Sequence, residues 1–195
     1  MTLYLKNATF IDWLTLVIHQ THIIVSEGPH GDISFTDSLP QQDSLQPGDR
    51  VIDCIGKWVT KSFGCGHHHI YSTLARGMPA PAKSPTNFTE VLQYIWWHID
   101  KRLDLDMIEA SALASAIYCA KNGVTFVIDH HASPFAISGS LDTIARAFDR
   151  VGISHMLCYE ISDRDGEGLR EEGLAETDDF LGRGSQGHVG LHASF

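Results

Sequence analysis

The pattern of apolar and polar positions changes near residue 60. Before it, the chain carries short runs of β-branched and aromatic residues, among them Leu3–Ile11 and Val17–Val25. Such runs predict β-strands, and the polar stretches between them predict turns. Val51–Val59 is a further strand-and-turn unit. We therefore expect residues 1–58 to form part of a small β-sandwich domain or a barrel fragment.

From residue 59 onward, the pattern alternates between strands and helices. Nearly all-apolar segments of the kind found in parallel sheets predict strands: one leading into His67, then Val124–His131, Ile153–Glu160 and His188–Phe195. Amphipathic stretches with capping signals predict helices: one from Asn87 through Phe88, Val91, Ile95 and Ile99, one from Leu105 to Asn122, one from Ser140 to Gly152, and a weaker one over about 167–181. The predicted fold class is α/β, with residues 59–195 as the first half of a (β/α)8 barrel, about four βα units.

The run His67-His68-His69 carries the strongest chemical signal. Residues i and i+2 of a strand point to the same side, so His67 and His69 can direct both imidazoles at one point. Two aligned imidazoles are half of a zinc or iron site. A surface cluster of solvated histidines is the alternative. Cys65 has the same strand parity and is a further ligand candidate, although a small packing residue is the favoured interpretation.

Polar residues end the following strands at intervals of about 31 residues, the length of a βα unit: Asp129, His130 and His131, then Glu160, then His192. The carboxyl ends of barrel strands build the active face, so Glu160, His131 and His192 are candidate substrate contacts, together with Arg76 in the first loop. Asp163 and Arg164 are weaker candidates. Asp129 could instead orient His67, or a strand-end carboxylate could cap a helix. Trp96 and Trp97 are either packing residues, which we favour, or a substrate platform.

A metal held by these histidines would generate hydroxide at neutral pH, which suits hydrolysis of a C–N bond. Catalytic zinc sites need three protein ligands, so other residues must complete the set. The predicted fourth strand contains no lysine that could bridge two metals, and one metal ion is favoured.

Composition excludes several functions. The formal net charge of −10 disfavours nucleic-acid binding, because the chain has no basic patch. No apolar run reaches the length of a membrane span, and the first residues lack the features of a signal peptide. The four scattered cysteines indicate reduced thiols, so we expect a cytoplasmic protein that acts on a small molecule. Phosphate-loop, dinucleotide and nucleophile-elbow motifs are absent from the sequence.

Several segments together resemble the metal-dependent amidohydrolase superfamily, in its chlorohydrolase, guanine deaminase and cytosine deaminase-like branch. They include His67-His-His-Ile-Tyr-Ser-Thr-Leu-Ala-Arg-Gly77, Ile95-Trp-Trp-His-Ile-Asp100, Val127-Ile-Asp-His-His-Ala-Ser-Pro134, Cys158-Tyr-Glu-Ile-Ser-Asp-Arg-Asp165 and Gly190-Leu-His-Ala-Ser-Phe195. The aminohydrolases associated with selenium metabolism are the most similar group. The resemblance covers the N-terminal half of that family.

The resemblance implies a (β/α)8 barrel joined to a small β-sandwich, and hydrolytic deamination or a related reaction of a ring compound such as a purine, pyrimidine or triazine. It implies His67 and His69 as metal ligands and His192 as a substrate contact. Its remaining ligands lie on later strands that this sequence does not contain. Lys61-Ser62 replaces the usual Pro-Gly, and His68 replaces Thr or Asn.

Two hypotheses follow. The first is an enzyme with one divalent metal ion, zinc favoured over iron, whose second half is supplied elsewhere by a complementary barrel half. The second is a truncated, non-catalytic relic that binds metal weakly or forms a homo-oligomer. We expect the 195-residue chain alone to show little or no turnover.

Overall fold

The computed structural model describes residues 1–26 and 31–183. The chain divides into two compact units, Met1–Lys61 and a second that begins at Ser62. Each unit has its own core, and each is considered by itself.

The first unit is a mixed sheet. Its strands are β1 (Thr2–Ile11), β2 (Ile18–Ser26), β3 (Ile33–Thr36), β4 (Arg50–Asp53) and β5 (Trp58–Val59), in the order β3-β2-β1-β4 with β5 also paired to β1. A 3-10 turn covers Gln42–Ser44. β1 and β2 are antiparallel, whereas β1 and β4 are parallel. The two long predicted strands are confirmed, and in the described residues they belong to one sheet.

The second unit alternates strands with helices. Parallel strands β6 (Phe63–His68), β7 (Val124–His131) and β8 (Ser154–Tyr159) lie in the order β6-β7-β8. Between and after them come a 3-10 turn (Ile70–Ala75), α1 (Phe88–Val91), a π-helical segment (Leu92–Trp96), α2 (Trp97–Asp100), α3 (Leu105–Lys121), α4 (Ser140–Val151) and α5 (Glu167–Gly182). The α/β class is confirmed. The fourth predicted strand, 188–195, lies outside the described residues, and closure into a barrel stays a prediction.

Helix α3 shows why these segments form where they do. The Asp104 side chain accepts a hydrogen bond from the Met107 N–H at 2.8 Å and caps the first turn. Ile108 and Ala112, four residues apart, are fully buried against the sheet core. The helix ends before Gly123, whose φ of 72° is a conformation that suits glycine.

The start of α4 differs from its prediction. Ser140, the predicted cap, is the first helical residue, and its hydroxyl is buried. The cap comes instead from Glu176 of α5, whose two carboxylate oxygens accept the N–H groups of Gly139 at 2.7 Å and Leu141 at 2.9 Å. A carboxylate at a helix N-terminus is also favoured by the helix dipole. A distant residue therefore does what the local sequence signal predicted for Ser140.

The helical segment from Phe88 to Asp100 contains a π-helical turn. Asn87 caps it as predicted, since its side chain accepts the Glu90 N–H at 3.0 Å. In return, the Glu90 carboxylate accepts the Thr86 N–H at 2.7 Å, where a standard capping box would use the N–H of the cap residue Asn87. Phe88, predicted on the buried stripe, is 73% exposed. The π-helical segment Leu92–Trp96 inserts an extra residue, a feature that is frequent at functional sites.

Candidate functional site

A bulge in β6 decides which way the histidines point. Cys65 pairs with Val127 and His68 pairs with Asp129, so three steps along β6 match two along β7. Cys65 packs against the buried core, and His68 Nδ1 lies 3.8 Å from Asp129 Oδ1. Both therefore face the helical layer, and the exposed His67 faces the opposite side. The parity argument that made Cys65 a ligand candidate is wrong, because the extra residue breaks the alternation between Cys65 and His67.

His67 and His69 converge on one point. Their Nε2 atoms are 3.0 Å apart, and their rings are perpendicular, with centroids 4.7 Å apart. The Nδ1 of His69 lies 3.2 Å from the backbone carbonyl of His130. A carbonyl only accepts, so this contact needs the proton on Nδ1 and leaves a lone pair on Nε2. The backbone of β7 thus fixes the tautomer in which His69 can bind a metal.

The spacing of the two nitrogens fits a shared metal ion. Two imidazole nitrogens at zinc-ligand distance from one ion lie about 3–3.5 Å apart for ordinary angles. The observed separation of 3.0 Å falls in this range and is also that of a direct N–H···N hydrogen bond between the two rings. Within residues 1–26 and 31–183, no group of three His, Cys, Asp or Glu side chains is arranged to hold a metal. Among the described residues, His67 and His69 therefore form a pair without a third side chain of this kind arranged beside them.

Aromatic rings surround His69. The Trp96 ring lies at 5.3 Å and 66° to the imidazole, Tyr71 at 5.8 Å and His130 at 5.4 Å. These are edge-to-face contacts of the kind aromatic rings favour. Trp96 comes from the end of the π-helical segment. Its neighbour Trp97 instead makes a cation–π contact with Arg164, with 5.4 Å between the guanidinium carbon and the ring centre.

Asp129 is buried behind the histidines and holds the chain just after His69. Its Oδ1 accepts the Ile70 N–H at 2.7 Å, and Ser111 Oγ donates to the Ile70 carbonyl at 2.5 Å. Burial raises the pKa of Asp129 to about 8, and the Ile70 hydrogen bond opposes that rise. Sequence reasoning offered Asp129 as a partner of His67. The structure places it on Ile70 and near His68.

His131, a predicted substrate contact, is fully buried. Its Nε2 lies 2.9 Å from the Ser133 hydroxyl, and its ring is between those of Tyr71, at 5.9 Å, and Tyr159, at 5.7 Å. Burial lowers its pKa to about 3, with a smaller contribution from His130. The ring is therefore neutral and lies on the same side of β7 as Asp129.

Glu160, the next predicted contact, belongs to a buried group of charges. We call this group, made of Asp100, Glu160, Arg164 and Asp165, the Arg164 cluster. Glu160 Oε2 accepts from Arg164 Nε at 2.9 Å and Nη2 at 2.6 Å, and the same Nη2 donates to Asp100 at 2.7 Å. Burial raises the pKa of Asp100 to about 6, against the opposing effect of Arg164.

The remaining predicted site residues are placed differently. Arg76 is exposed at the end of the 3-10 turn Ile70–Ala75, and His192 lies outside the described residues. Of the predicted set, the structure brings His67 and His69 together. The sequence offered Trp96 as a packing residue or substrate platform and Arg164 as a weaker candidate, but it predicted neither the contact of Trp96 with His69 nor the Asp100–Arg164 pair. Trp96 had a signal, since it lies in the quoted segment Ile95–Asp100, but periodicity alone does not show a π-helical turn.

The comparisons with known proteins concern a chain whose three-stranded parallel sheet carries histidines at its carboxyl end. Among solved structures, the chain is similar to guanine deaminase from E. coli, at 15% identity and a TM-score of 0.71, covering 98% of this chain and 45% of that one. It is also similar to a mutant atrazine chlorohydrolase from Arthrobacter aurescens TC1 complexed with zinc and atraton, at 15% identity and a TM-score of 0.70, covering 98% and 46%. These likenesses show the fold, and the chain covers the N-terminal half of its neighbours.

A curated relative agrees with this fold. The 5'-deoxyadenosine deaminase of Methanopyrus kandleri is 27% identical over 182 residues, which are 90% of this chain and 38% of that enzyme. No protein-family model matches the chain. The chain thus spans less than half the length of the relatives named here. In the described part of the chain, no helix is long and apolar enough to cross a membrane.

Proposed function

We propose that this chain is the N-terminal part of a metal-dependent amidohydrolase that hydrolyses a non-peptide C–N bond of a ring compound, as in deamination of a purine, pyrimidine or triazine. The observation that carries the proposal is the convergence of His67 and His69, with Nε2 atoms 3.0 Å apart. The similarity to a guanine deaminase and a 5'-deoxyadenosine deaminase supports C–N hydrolysis, and the similarity to an atrazine chlorohydrolase supports hydrolysis at a ring carbon.

His67 and His69 would hold one divalent metal ion. We favour zinc over iron because the similar chlorohydrolase is complexed with zinc, although imidazole suits both metals. When bound, such an ion supplies hydroxide at neutral pH by lowering the pKa of water. The His130 carbonyl keeps the His69 proton on Nδ1, and the contact with Trp96 limits rotation of the ring. These contacts hold the His69 ring in one tautomer and orientation without a bound ion.

We keep Arg76, His131, Glu160 and His192 as proposed substrate contacts, with different support. Arg76 is exposed and accessible. Glu160 already accepts two hydrogen bonds from Arg164, and His131 is enclosed by Tyr71 and Tyr159. A direct contact by either of the last two needs a rearrangement, so support is strongest for Arg76. We propose a cytoplasmic location because the thiols are free in the described residues.

The second candidate is a non-catalytic chain that binds metal weakly or joins a partner chain. One observation favours it: the described residues supply no third ligand with His67 and His69. Two imidazoles alone make a weaker site than the three protein ligands of catalytic zinc.

Zinc titration by calorimetry tests the ligand assignment. We expect one zinc ion per chain, with affinity reduced at least tenfold in His67→Ala and in His69→Ala. His98→Ala, an exposed histidine of α2, is the control and should bind as the parent does. Equal zinc binding by all four proteins would contradict the assignment.

Catalysis needs a separate measurement. Ammonia release from guanine, cytosine, 5'-deoxyadenosine and a triazine should be followed with the zinc-loaded chain, alone and with a complementary C-terminal half. Tight zinc binding with turnover in the second case supports the enzyme. Absence of turnover in both cases favours the non-catalytic candidate.

A further inference from the structure

The Arg164 cluster brings four charged side chains together with little exposure to solvent. The side chains of Arg164 and Asp100 are 8% and 1% exposed, and that of Glu160 is 12% exposed. Burial of ions costs free energy unless they are paired and hydrogen-bonded. Arg164 meets this requirement through Nε and Nη2, which donate hydrogen bonds to Glu160 and Asp100. Its Nη1 lies 3.1 Å from Asp165 Oδ2 and forms an ion pair without hydrogen-bond geometry. Such a fixed geometry suits a role in orientation.

The cluster links the end of β8 to the helical segment that carries Trp96. Glu160 directly follows β8, whereas Asp100 and Trp97 belong to α2. The Arg164 guanidinium donates hydrogen bonds to Glu160 and Asp100, and its carbon lies over the Trp97 ring, 5.4 Å from the ring centre. Only arginine combines a planar donor fork with a face that stacks on aromatic rings. Arg164 therefore fixes both the position and the rotation of α2 relative to this strand end.

The position of Trp96 follows from that of α2. Trp96 is the residue immediately before α2 and ends the π-helical segment, so rotation of α2 about its axis moves its indole. The indole contacts the rings of His69, at 5.3 Å, and Tyr71, at 5.9 Å. The path from Arg164 to His69 thus runs through one helical turn.

We propose that Arg164 is a positioning residue that holds the Trp96 indole against the His69 imidazole and so keeps His69 oriented. The inference rests on the proposed function in one respect, that His69 is a metal ligand. The ring contact itself exists without a metal, and it can be measured separately.

The contact is measured by the ring-current shift of the His69 Hε1 proton in NMR spectra of the full chain without metal. The signal is assigned by its loss in His69→Gln, and Trp96→Phe defines the shift due to the indole. In Arg164→Lys, which keeps the charge but lacks the fork, we expect at least half of that shift to be lost. Arg170→Lys is the matched control, because Arg170 also pairs with two carboxylates, Asp163 and Glu171, but lies at the surface.

Retention of the full shift in Arg164→Lys overturns the proposal, even if the protein becomes less stable, because the cluster would then be merely structural. If Arg164→Lys does not fold, the double variant Arg164→Gln with Asp100→Asn takes its place, because it removes one positive and one negative charge together. Loss of at least half of the Hε1 shift in the double variant supports the proposal, and retention of the full shift overturns it. Zinc affinity should fall about three- to tenfold in the variant that loses the shift. If the parent chain binds no zinc, the proposed function fails, while the Hε1 shift still decides the role of Arg164.

Discussion

Asp129 carries the clearest pH dependence of any single residue near the histidines. It is fully buried, and burial raises its pKa to about 8 from the ordinary value of 3.8. Between about pH 4 and pH 8 the unfolded chain has released this proton and the folded chain has kept it. The contribution of Asp129 to the free energy of unfolding therefore decreases as pH rises through that window.

We expect Asp129→Asn to remove this decrease. Asparagine keeps an oxygen that can accept the Ile70 N–H and does not titrate. The free energy of unfolding of the variant, relative to that of the parent, should therefore increase from pH 5 to pH 8. The increase is up to about 4 kcal/mol, because each pH unit in this window contributes about 1.4 kcal/mol. Urea unfolding with a chelator present, at four pH values in this range, measures the difference.

Asp12→Asn is the control, because the pKa of Asp12 is shifted in the opposite direction to the pKa of Asp129. Asp12 is exposed, and hydrogen bonds from the Thr15 and Leu14 N–H groups lower its pKa. Its contribution is present above about pH 4 and is lost only at lower pH. The difference between Asp12→Asn and the parent should be flat from pH 5 to pH 8. A flat difference for Asp129→Asn would show that Asp129 is ionised in the folded protein.

At the scale of single residues, the sequence predicted the direction of His67 and His69 but not the reason. The i, i+2 rule brought these two together, and the same rule wrongly added Cys65. The rule holds for His67 and His69 and fails for Cys65 because the strand has one extra residue between Cys65 and His68. A bulge depends on pairing with a strand about 60 residues away, which no local pattern reveals.

At the scale of elements, Gly173 is where α5 approaches β8 most closely. A Cβ at this position would lie 2.8 Å from Cδ1 of Tyr159 and 3.1 Å from the Glu160 carbonyl oxygen. Tyr159 cannot move freely, since its hydroxyl accepts the Ser133 N–H at 3.0 Å. We expect Gly173→Ala to lower the free energy of unfolding by about 1–3 kcal/mol, because overpacking outweighs the helix propensity of alanine.

Gly168→Ala is the matched control on the same helix. No atom lies within 4 Å of a Cβ built there, and the residue is exposed. Its stability should be unchanged or increased by up to about 1 kcal/mol. Thermal and urea unfolding of both variants measure the contrast. Equal stability of the two variants would mean that α5 moves away from Tyr159 at little cost.

The capping of α4 by Glu176 gives a second prediction for an element. Glu176 is 7% exposed and accepts the N–H groups of Gly139 and Leu141. Glu176→Ala should lower stability by about 2 kcal/mol, since two buried donors lose a charged acceptor. Glu172→Ala, one turn earlier on the exposed face, should change stability by less than about 0.5 kcal/mol. Similar losses in both variants would show that water replaces the cap.

The elements themselves were largely predictable, and their ends were less so. β7 and α3 have strong patterns. β7 contains a nearly all-apolar run, and α3 has Asp104 before it and Gly123 after it. The predicted cap of α4 was wrong. Ser140 is a good local cap by its residue type, but the cap in the structure comes from Glu176. Local propensity yields to a tertiary contact when the contact satisfies two N–H groups together.

At the scale of the whole molecule, the chain is shorter than the proteins to which it is similar. It corresponds to 38% of the deoxyadenosine deaminase and to 45% of the guanine deaminase. The structure brings together His67 of β6 and His69, the residue that follows the strand. This pair and the α/β class are readable from the sequence, whereas the substrate is not.

Zinc should stabilise one compact unit and leave the other unchanged. Both proposed ligands lie in the unit that begins at Ser62, and Met1–Lys61 contributes neither. At a free zinc concentration ten times the dissociation constant, linkage predicts stabilisation by about 1.4 kcal/mol, or about tenfold slower exchange of amides that open with that unit. Hydrogen exchange followed by mass spectrometry should show this slowing in β7 and α3, with β1 and β2 unchanged. His67→Ala should abolish it. Equal slowing in both units would mean that they unfold together, so that metal binding at β6 stabilises the whole chain.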